Sequence, residues 1–255
     1  MQRNWVLASD IDNTLTGDRE ALDRLAARIF TLRKQEKLFL ILSTGRRLDQ
    51  VLAGFDEEGI PYGDAIISQV GTEIYLPPYA VGMAPLTQWE TRLQQQFSAA
   101  TAVTFLDDIT GLEMQPQKYN TPLKVSCYLD NTPDADAAVA RIKQRIAQAG
   151  KTDAYQVVWS SGRDLDIIPA AAGKGKAIQY VIHFLELEAG QVIVAGDSGN
   201  DRTMFDTFDH GIVVANAQPE LKQLQEETHS SNYYFAQDKF AAGVTEGLRH
   251  FGVLI

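Results

Sequence analysis

Trp5-Val6-Leu7-Ala8-Ser9-Asp10-Ile11-Asp12-Asn13-Thr14 opens the chain with a short apolar run that stops at two acids. Trp5 to Ala8 reads as a buried strand. Asp10 and Asp12, two positions apart in extended chain, point the same way. Side by side, two carboxylates repel unless a cation sits between them or a proton is shared. The plainer reading is a solvated loop whose acids help to cap the next helix. The C-terminal end of a parallel strand is also where open α/β sheets bind ligands.

Outward from this segment, strand and helix patterns alternate. Leu22, Leu25, Ile29 and Leu32 mark a helix within 18–36. Leu38-Phe39-Leu40-Ile41-Leu42 is a second apolar strand. Leu48, Val51, Leu52 and Phe55 mark a helix stopped by Gly59, and Ala65-Ile66-Ile67 is a third strand. The pattern resumes near residue 175, with a helix on Ile178, Val181, Ile182 and Leu185. Strands follow at Val192-Ile193-Val194-Ala195 and Gly211-Ile212-Val213-Val214, then a last helix on Phe240, Val244, Leu248 and Phe251. Continuous apolar strands separated by helices predict an α/β fold, a Rossmann-like parallel sheet covered by helices on both faces.

The middle differs. After Pro77-Pro78 come a helix striped by Leu86, Trp89, Leu93 and Phe97, a strand over 124–129, and a helix on Val139, Ile142 and Ile146 ended by Gly150. A hairpin follows, 156–159 with 164–168, turning at Ser160-Ser161-Gly162-Arg163. This α+β pattern predicts a second domain over 81–169, inserted into a core made of 1–80 and 170–255.

The chain has 255 residues, with 23 Lys plus Arg against 33 Asp plus Glu, a formal charge of −10. That balance argues against nucleic-acid binding, which needs a basic stripe, but leaves room for a small anion in one local pocket. Cys127, the single cysteine, cannot form an internal disulfide and reads as a packed strand residue. The N-terminal apolar run is too short for a signal peptide, and none reaches the ~20 residues that span a bilayer. A cytoplasmic monomer that binds neither nucleic acid nor membrane is expected. His183, His210, His229 and His250 show no ligand spacing and read as structural or surface residues.

Three further stretches sit at strand ends or helix starts. Gly196-Asp197-Ser198-Gly199-Asn200-Asp201 places two acids four apart; acids from two strand ends can share a magnesium ion, or Asp197 or Asn200 can simply cap a helix. Ser43-Thr44-Gly45-Arg46 offers a hydroxyl and backbone N–H groups to a phosphate oxygen, or Thr44 caps the next helix. Gly173-Lys174-Gly175-Lys176 opens a predicted 176–188 helix with a lysine that either reaches an anion or stays solvated.

Taken in order, these four stretches resemble the haloacid-dehalogenase-like phosphatase superfamily. The resemblance implies that Asp10 is the nucleophile, forming an aspartyl-phosphate, and that Asp12 is the general acid and then the base. It implies that Thr44 and Lys174 hold the phosphoryl group. Asp10, the Asp12 carbonyl and Asp197 would ligate Mg2+, with Asp201 in support. The inserted domain falls where the superfamily carries a substrate-selecting cap.

A narrower similarity rests on Asn13, Gly71-Thr72-Glu73-Ile74-Tyr75, Lys124-Val125-Ser126, Ser160 to Asp166, Gly196 to Asp201 and Asn216 to Leu221. These stretches look like sucrose-phosphatases of the short bacterial type. The resemblance implies hydrolysis of sucrose 6-phosphate, the last step of sucrose biosynthesis. Mannosylglycerate, glucosylglycerol, trehalose and mannosylfructose phosphates are the sibling substrates. Polarity marks Lys124, Ser161, Gly162 and Asp164 as cap residues that could grip the sugar, with Glu73, Asn200, Gly45 and Arg46 from the core. Arg47 departs from the pattern, where a smaller residue is usual. A phosphosugar mutase and a non-catalytic phospho-switch are the alternatives; the second acid at Asp12 and the insertion argue against the switch.

Overall fold

The computed structural model describes residues 5–187, 192–227 and 232–254. In chain order, β1 (Trp5–Ser9), α1 (Arg19–Lys34), β2 (Leu38–Ser43), α2 (Leu48–Glu57), β3 (Ala65–Ser68) and β4 (Glu73–Tyr75) form the first part. Then come α3 (Thr87–Gln94), α4 (Ala99–Thr104), β5 (Glu113–Met114), β6 (Val125–Tyr128), α5 (Ala135–Gln148), β7 (Tyr155–Ser160) and β8 (Asp164–Pro169). The last part holds α6 (Lys174–Phe184), β9 (Val192–Gly196), α7 (Arg202–Thr207), β10 (His210–Val213), α8 (Pro219–Lys222), α9 (Leu224–Glu227), β11 (Asn232–Phe235) and α10 (Phe240–His250).

Seven strands form one sheet in the order β11-β10-β9-β1-β2-β3-β4, parallel except for β4. β1 lies at its centre, paired with β2 on one side and β9 on the other. Leu7, Ala8, Leu40, Ile41, Val194 and Ala195 are fully buried, as strands covered on both faces require. The strand order reverses at β1, so the ends of β1 and β9 open into one crevice. The Asp10 amide donates to the Ala195 carbonyl at 2.9 Å, which locks the two strand ends side by side.

The second sheet, β5-β6-β8-β7, is antiparallel and built within residues 113–169. Its apolar face carries Val125, Cys127, Leu165, Ile167 and Tyr155, all buried. Phe97 and Phe105 pack on the Tyr155 ring at 5.1 and 5.3 Å. The other face carries Ser126, Asp164 and Asp166. Alternation along each strand separates the two sets.

The long periodic elements match the sequence reading within a few residues. The 18–36 helix is α1, with the Asp18 side chain capping it through the Ala21 amide. The hairpin turns through Ser161 and Gly162, whose φ values of 56° and 66° are those of a tight primed turn. One boundary moved: α6 begins at Lys174 rather than 176, so Lys174 stands in its first turn. The predicted end of that helix, 188, lies outside the described residues, as does His229. Among the described residues no helix is long and apolar enough to cross a membrane. Cys127 is packed between strands as expected, and burial, with Asp166 and Asp164 adding to it, pushes its thiol up to about 12.

Candidate active site

Three strand ends and one helix start meet at the crevice. Asp10 follows β1, Asp197 follows β9, Thr44 follows β2, and Lys174 opens α6. Asp10, Asp197 and Asp201 each present a carboxylate oxygen, all within 4.8 Å of one another, and all three residues are buried. Lys174 Nζ sits among them, donating to Asp10 Oδ1 at 2.7 Å and Asp201 Oδ1 at 2.6 Å. Thr14 Oγ1 donates to Asp197 Oδ1 at 3.2 Å. The other Asp201 oxygen accepts from the Asp197 and Ser198 amides at 2.9 and 3.0 Å. Asp201 is thus held on both sides by the protein, whereas Asp10 and Asp197 keep oxygens turned to the cluster.

One ammonium cannot neutralise three buried carboxylates. Burial alone would lower the Lys174 pKa, but Asp10 and Asp201 outweigh it and hold the lysine charged. Burial raises Asp10 well above an ordinary carboxylate; Lys174 pulls it down, and Asp201, Asp197 and Asp12 push it up again. Asp197 is raised to about 7, by burial first and by Asp201 second. This surplus of negative charge among oxygen donors suits a hard divalent cation.

The backbone is shaped for the same purpose. Asn13 has φ 57°, a conformation that glycine or asparagine adopts most readily, and its carbonyl accepts from Asn216 Nδ2 at 2.7 Å. Val70 has φ 60°, strained for a β-branched residue, and its amide donates to the Thr44 carbonyl at 3.1 Å. Gly71 (φ 89°) comes so close to α6 that a Cβ there would lie 2.3 Å from the Gly173 carbonyl carbon. The 69–71 turn therefore wedges Thr44 and Lys174 into place. Thr44 Oγ1 accepts from the Arg46 amide at 3.1 Å, and its hydroxyl proton stays available to a ligand.

Asp12 stands at the rim, its side chain half exposed. The Arg46 guanidinium grips it, with Nε at 3.1 and 3.0 Å from the two Asp12 oxygens and Nη2 at 2.7 Å from Oδ1. Arg46, expected to meet substrate, spends its donors on carboxylates. Gly45 lies beside the Val70 side chain. Asn200 accepts from Ser198 Oγ at 3.4 Å, next to the acid cluster.

The remaining sequence candidates make their hydrogen bonds and ion pairs with groups other than the Asp10–Lys174 cluster. Glu73 accepts from Ser68 Oγ and Tyr75 Oη, both at 2.9 Å. Lys124 is buried and pairs with Asp166 at 3.6 Å. Asp164 accepts from Gln115 Nε2 at 3.0 Å. Ser161 and Gly162 form the exposed hairpin tip, where the Ser161 amide donates to Glu220 Oε1 at 3.1 Å. Glu220 Oε1 also accepts from the Gly199 amide at 3.3 Å, so it bridges the hairpin to the acid loop. Among the described residues no hydrogen bond or ion pair joins Glu73, Lys124, Ser161, Gly162 or Asp164 to Asp10 or Lys174.

Sequence reasoning passed over several participants. Asp166 alternates with Asp164 along one strand, yet it is 6% exposed and accepts from Ser126 Oγ at 2.5 Å. Glu58 and Glu220 carried no local signal, because their side-chain partners lie 12 and 21 residues away at the nearest.

A parallel sheet with acids and a buried lysine at its switch point, beside a second antiparallel sheet, defines a phosphoric monoester hydrolase of the haloacid-dehalogenase-like superfamily. The chain belongs to the sucrose-6F-phosphate phosphohydrolase family, whose model matches residues 3–252. It is 36% identical over 250 residues to the mannosylfructose-phosphate phosphatase of Agrobacterium fabrum, covering 97% of each chain. It is 30% identical to sucrose-phosphatase 1 of Nicotiana tabacum, matching 97% of this chain but 59% of that longer protein. Among solved structures, the sucrose-phosphatase from Synechocystis sp. PCC6803 in complex with sucrose and phosphate superposes with a TM-score of 0.88 at 30% identity, covering 98% of both chains.

Proposed function

We propose that this chain is a Mg2+-dependent phosphatase that hydrolyses sucrose 6-phosphate to sucrose and phosphate. The observation that carries this reading is the cluster of Asp10, Asp197 and Asp201 around one buried Lys174, in a chain that matches a sucrose- and phosphate-bound phosphatase over 98% of its length.

Asp10 attacks the phosphorus, and the bond from phosphorus to the sugar oxygen breaks. Asp12 gives its proton to that oxygen, so sucrose leaves as a neutral alcohol. Water then attacks the aspartyl-phosphate, Asp12 takes its proton, and phosphate departs with the Asp10 carboxylate restored. Thr44 and Lys174 donate to the phosphoryl oxygens and stabilise the charge that builds on them. Asp10, the Asp12 carbonyl and Asp197 would hold magnesium, with Asp201 orienting Lys174 and the 197–198 amides; the ion supplies positive charge to the phosphate when bound.

Residues 81–169 act in this reading as a cap. Its polar face brings Ser126, Asp164 and Asp166 to the sugar, with Lys124 at its margin, and Gln156 on the same face donates to the Ala172 carbonyl at 2.8 Å beside α6. Paired donors and acceptors of this kind select sugar hydroxyls over analogues that lack them.

The identity of 36% to a mannosylfructose-phosphate phosphatase favours a second reading in which that sugar phosphate is the substrate. Mannose and glucose are epimers at one carbon, so the two substrates differ by one hydroxyl direction. Phosphate release with magnesium from both sugar phosphates, and from trehalose, mannosylglycerate and glucosylglycerol phosphates, separates the readings. The highest kcat/KM on sucrose 6-phosphate supports the first; a higher value on any other overturns it and keeps the class.

A further inference from the structure

Arg46 has two carboxylate partners, and only one belongs to the reaction. Its Nε–Nη2 edge faces Asp12, while Nη1 and Nη2 meet Glu58 Oε1 and Oε2 at 2.5 and 2.9 Å. A planar guanidinium held along two edges cannot rotate out of register with either acid. Its side chain is 14% exposed, against 50% for Asp12 and 39% for Glu58.

Glu58 sits where a carboxylate is locally unfavourable. It is the C-cap residue just after α2, whose last turn carries no basic residue, so it faces the negative end of the helix dipole. Gly54 stands in the same helix, where glycine weakens a helix interior. A Cβ at Gly54 would lie 3.2 Å from both Arg46 Nη1 and Glu58 Oε1, and 2.6 Å from Ile60. The helix thus gives up local stability in two places, and the space at Gly54 is taken by Ile60 together with the Arg46–Glu58 pair. Local rules broken at one spot mark a candidate functional site, and here the largely buried Arg46 guanidinium joins Glu58 to Asp12.

We propose that Glu58 is a positioning residue for proton donation, fixing the Arg46 guanidinium so that Asp12 is presented to the leaving-group oxygen. The proposal rests on the reading of Asp12 as the general acid. Removing Glu58 frees one edge of Arg46, and Asp12 then swings with it.

The test compares two leaving groups on the full chain loaded with magnesium. Sucrose 6-phosphate expels an alkoxide that needs a proton; p-nitrophenyl phosphate expels a stable phenolate that does not. For each, kcat/KM reports the chemistry up to the first cleavage of the phosphorus–oxygen bond. Glu58→Ala is expected to lower the ratio of kcat/KM for sucrose 6-phosphate over p-nitrophenyl phosphate about tenfold, within the range of a misdirected general acid. Glu58→Gln, which keeps one acceptor for Nη1, recovers part of the ratio. A ratio within twofold of wild type in Glu58→Ala, or an equal fall on both substrates as a merely structural role would give, overturns the proposal. Asp12→Asn separates this from failure of the underlying reading. If it lowers the ratio while Glu58→Ala does not, Glu58 is not the positioning residue; if it lowers both substrates alike, Asp12 is not the acid and the proposal falls with it. Should the wild type turn over mannosylfructose phosphate instead, the same ratio is read on that ester.

Discussion

Among the described residues two buried lysines stand in acidic company, and they differ in balance. Lys124, in the antiparallel sheet, forms an ion pair with Asp166, itself held by Ser126, and its charge also reaches Asp164. Lys174, at the crevice of the parallel sheet, meets two and lies beside a third. A matched buried pair is electrically complete. A cluster with surplus negative charge is complete only when something positive joins it. The same residue types therefore build a fixed polar face in one region and, in the proposed function, the reactive centre in the other.

The sharpest way to break this comparison is to remove Asp10, the proposed nucleophile. Asp10→Asn is expected to lower phosphate release at least about 10⁴-fold, since no other group can accept the phosphoryl. Activity within tenfold of wild type would show that the cluster is not the reacting centre. Next, Lys174→Met should lower kcat by about 10²- to 10³-fold, as loss of one preorganised charge on a developing anion does. Lys124→Met should instead show itself in stability, by about 3 kcal/mol in denaturant unfolding, because it strands the Asp166 charge. Stability loss in the first variant with no kinetic effect would erase the distinction between the two lysines.

Gly71→Ala tests the wedge between Thr44 and Lys174. The new Cβ meets Gly173 and the Lys174 amide at 2.3 and 2.7 Å. Displacing α6 by an ångström is expected to lower kcat by about 10²-fold, with a smaller change in KM. The gentlest test is pH. Asp197 is raised from an ordinary 3.8 to about 7, so the folded metal-free protein binds more protons there than the unfolded chain. Its contribution is fully present below 3.8 and is lost as pH rises through about 7, so stability without metal should fall across that window. Added magnesium should reverse the fall at pH 8. Asp197→Asn should flatten the slope, seen in unfolding midpoints at pH 4 to 8.

Much of the parallel sheet was legible because its strands are long apolar runs and its helices carry strong 3.6-residue stripes. β11, Asn-Tyr-Tyr-Phe, and the two-residue β5 lack either signal. The acids of the crevice were legible because each stands directly after a strand, with glycines to turn the chain. Their sharing of one lysine was not, since Asp10 and Lys174 are 164 residues apart. Glu58 was hidden in Asp56-Glu57-Glu58, a run that reads as solvated helix end. Asp164 and Asp166 alternate as a wet strand would; only the packing of Lys124 and Ser126 over Asp166 shows that this acid is buried.

Calorimetric titration of magnesium into the wild-type chain, Asp197→Asn and Lys124→Met at pH 7.5 tests the surplus of charge around Lys174 most directly. One ion should bind per wild-type chain, Lys124→Met should bind it equally well, and Asp197→Asn should weaken it at least about tenfold, a loss of 1.4 kcal/mol or more. Absence of binding to the wild type, or equal binding by Asp197→Asn, would contradict it.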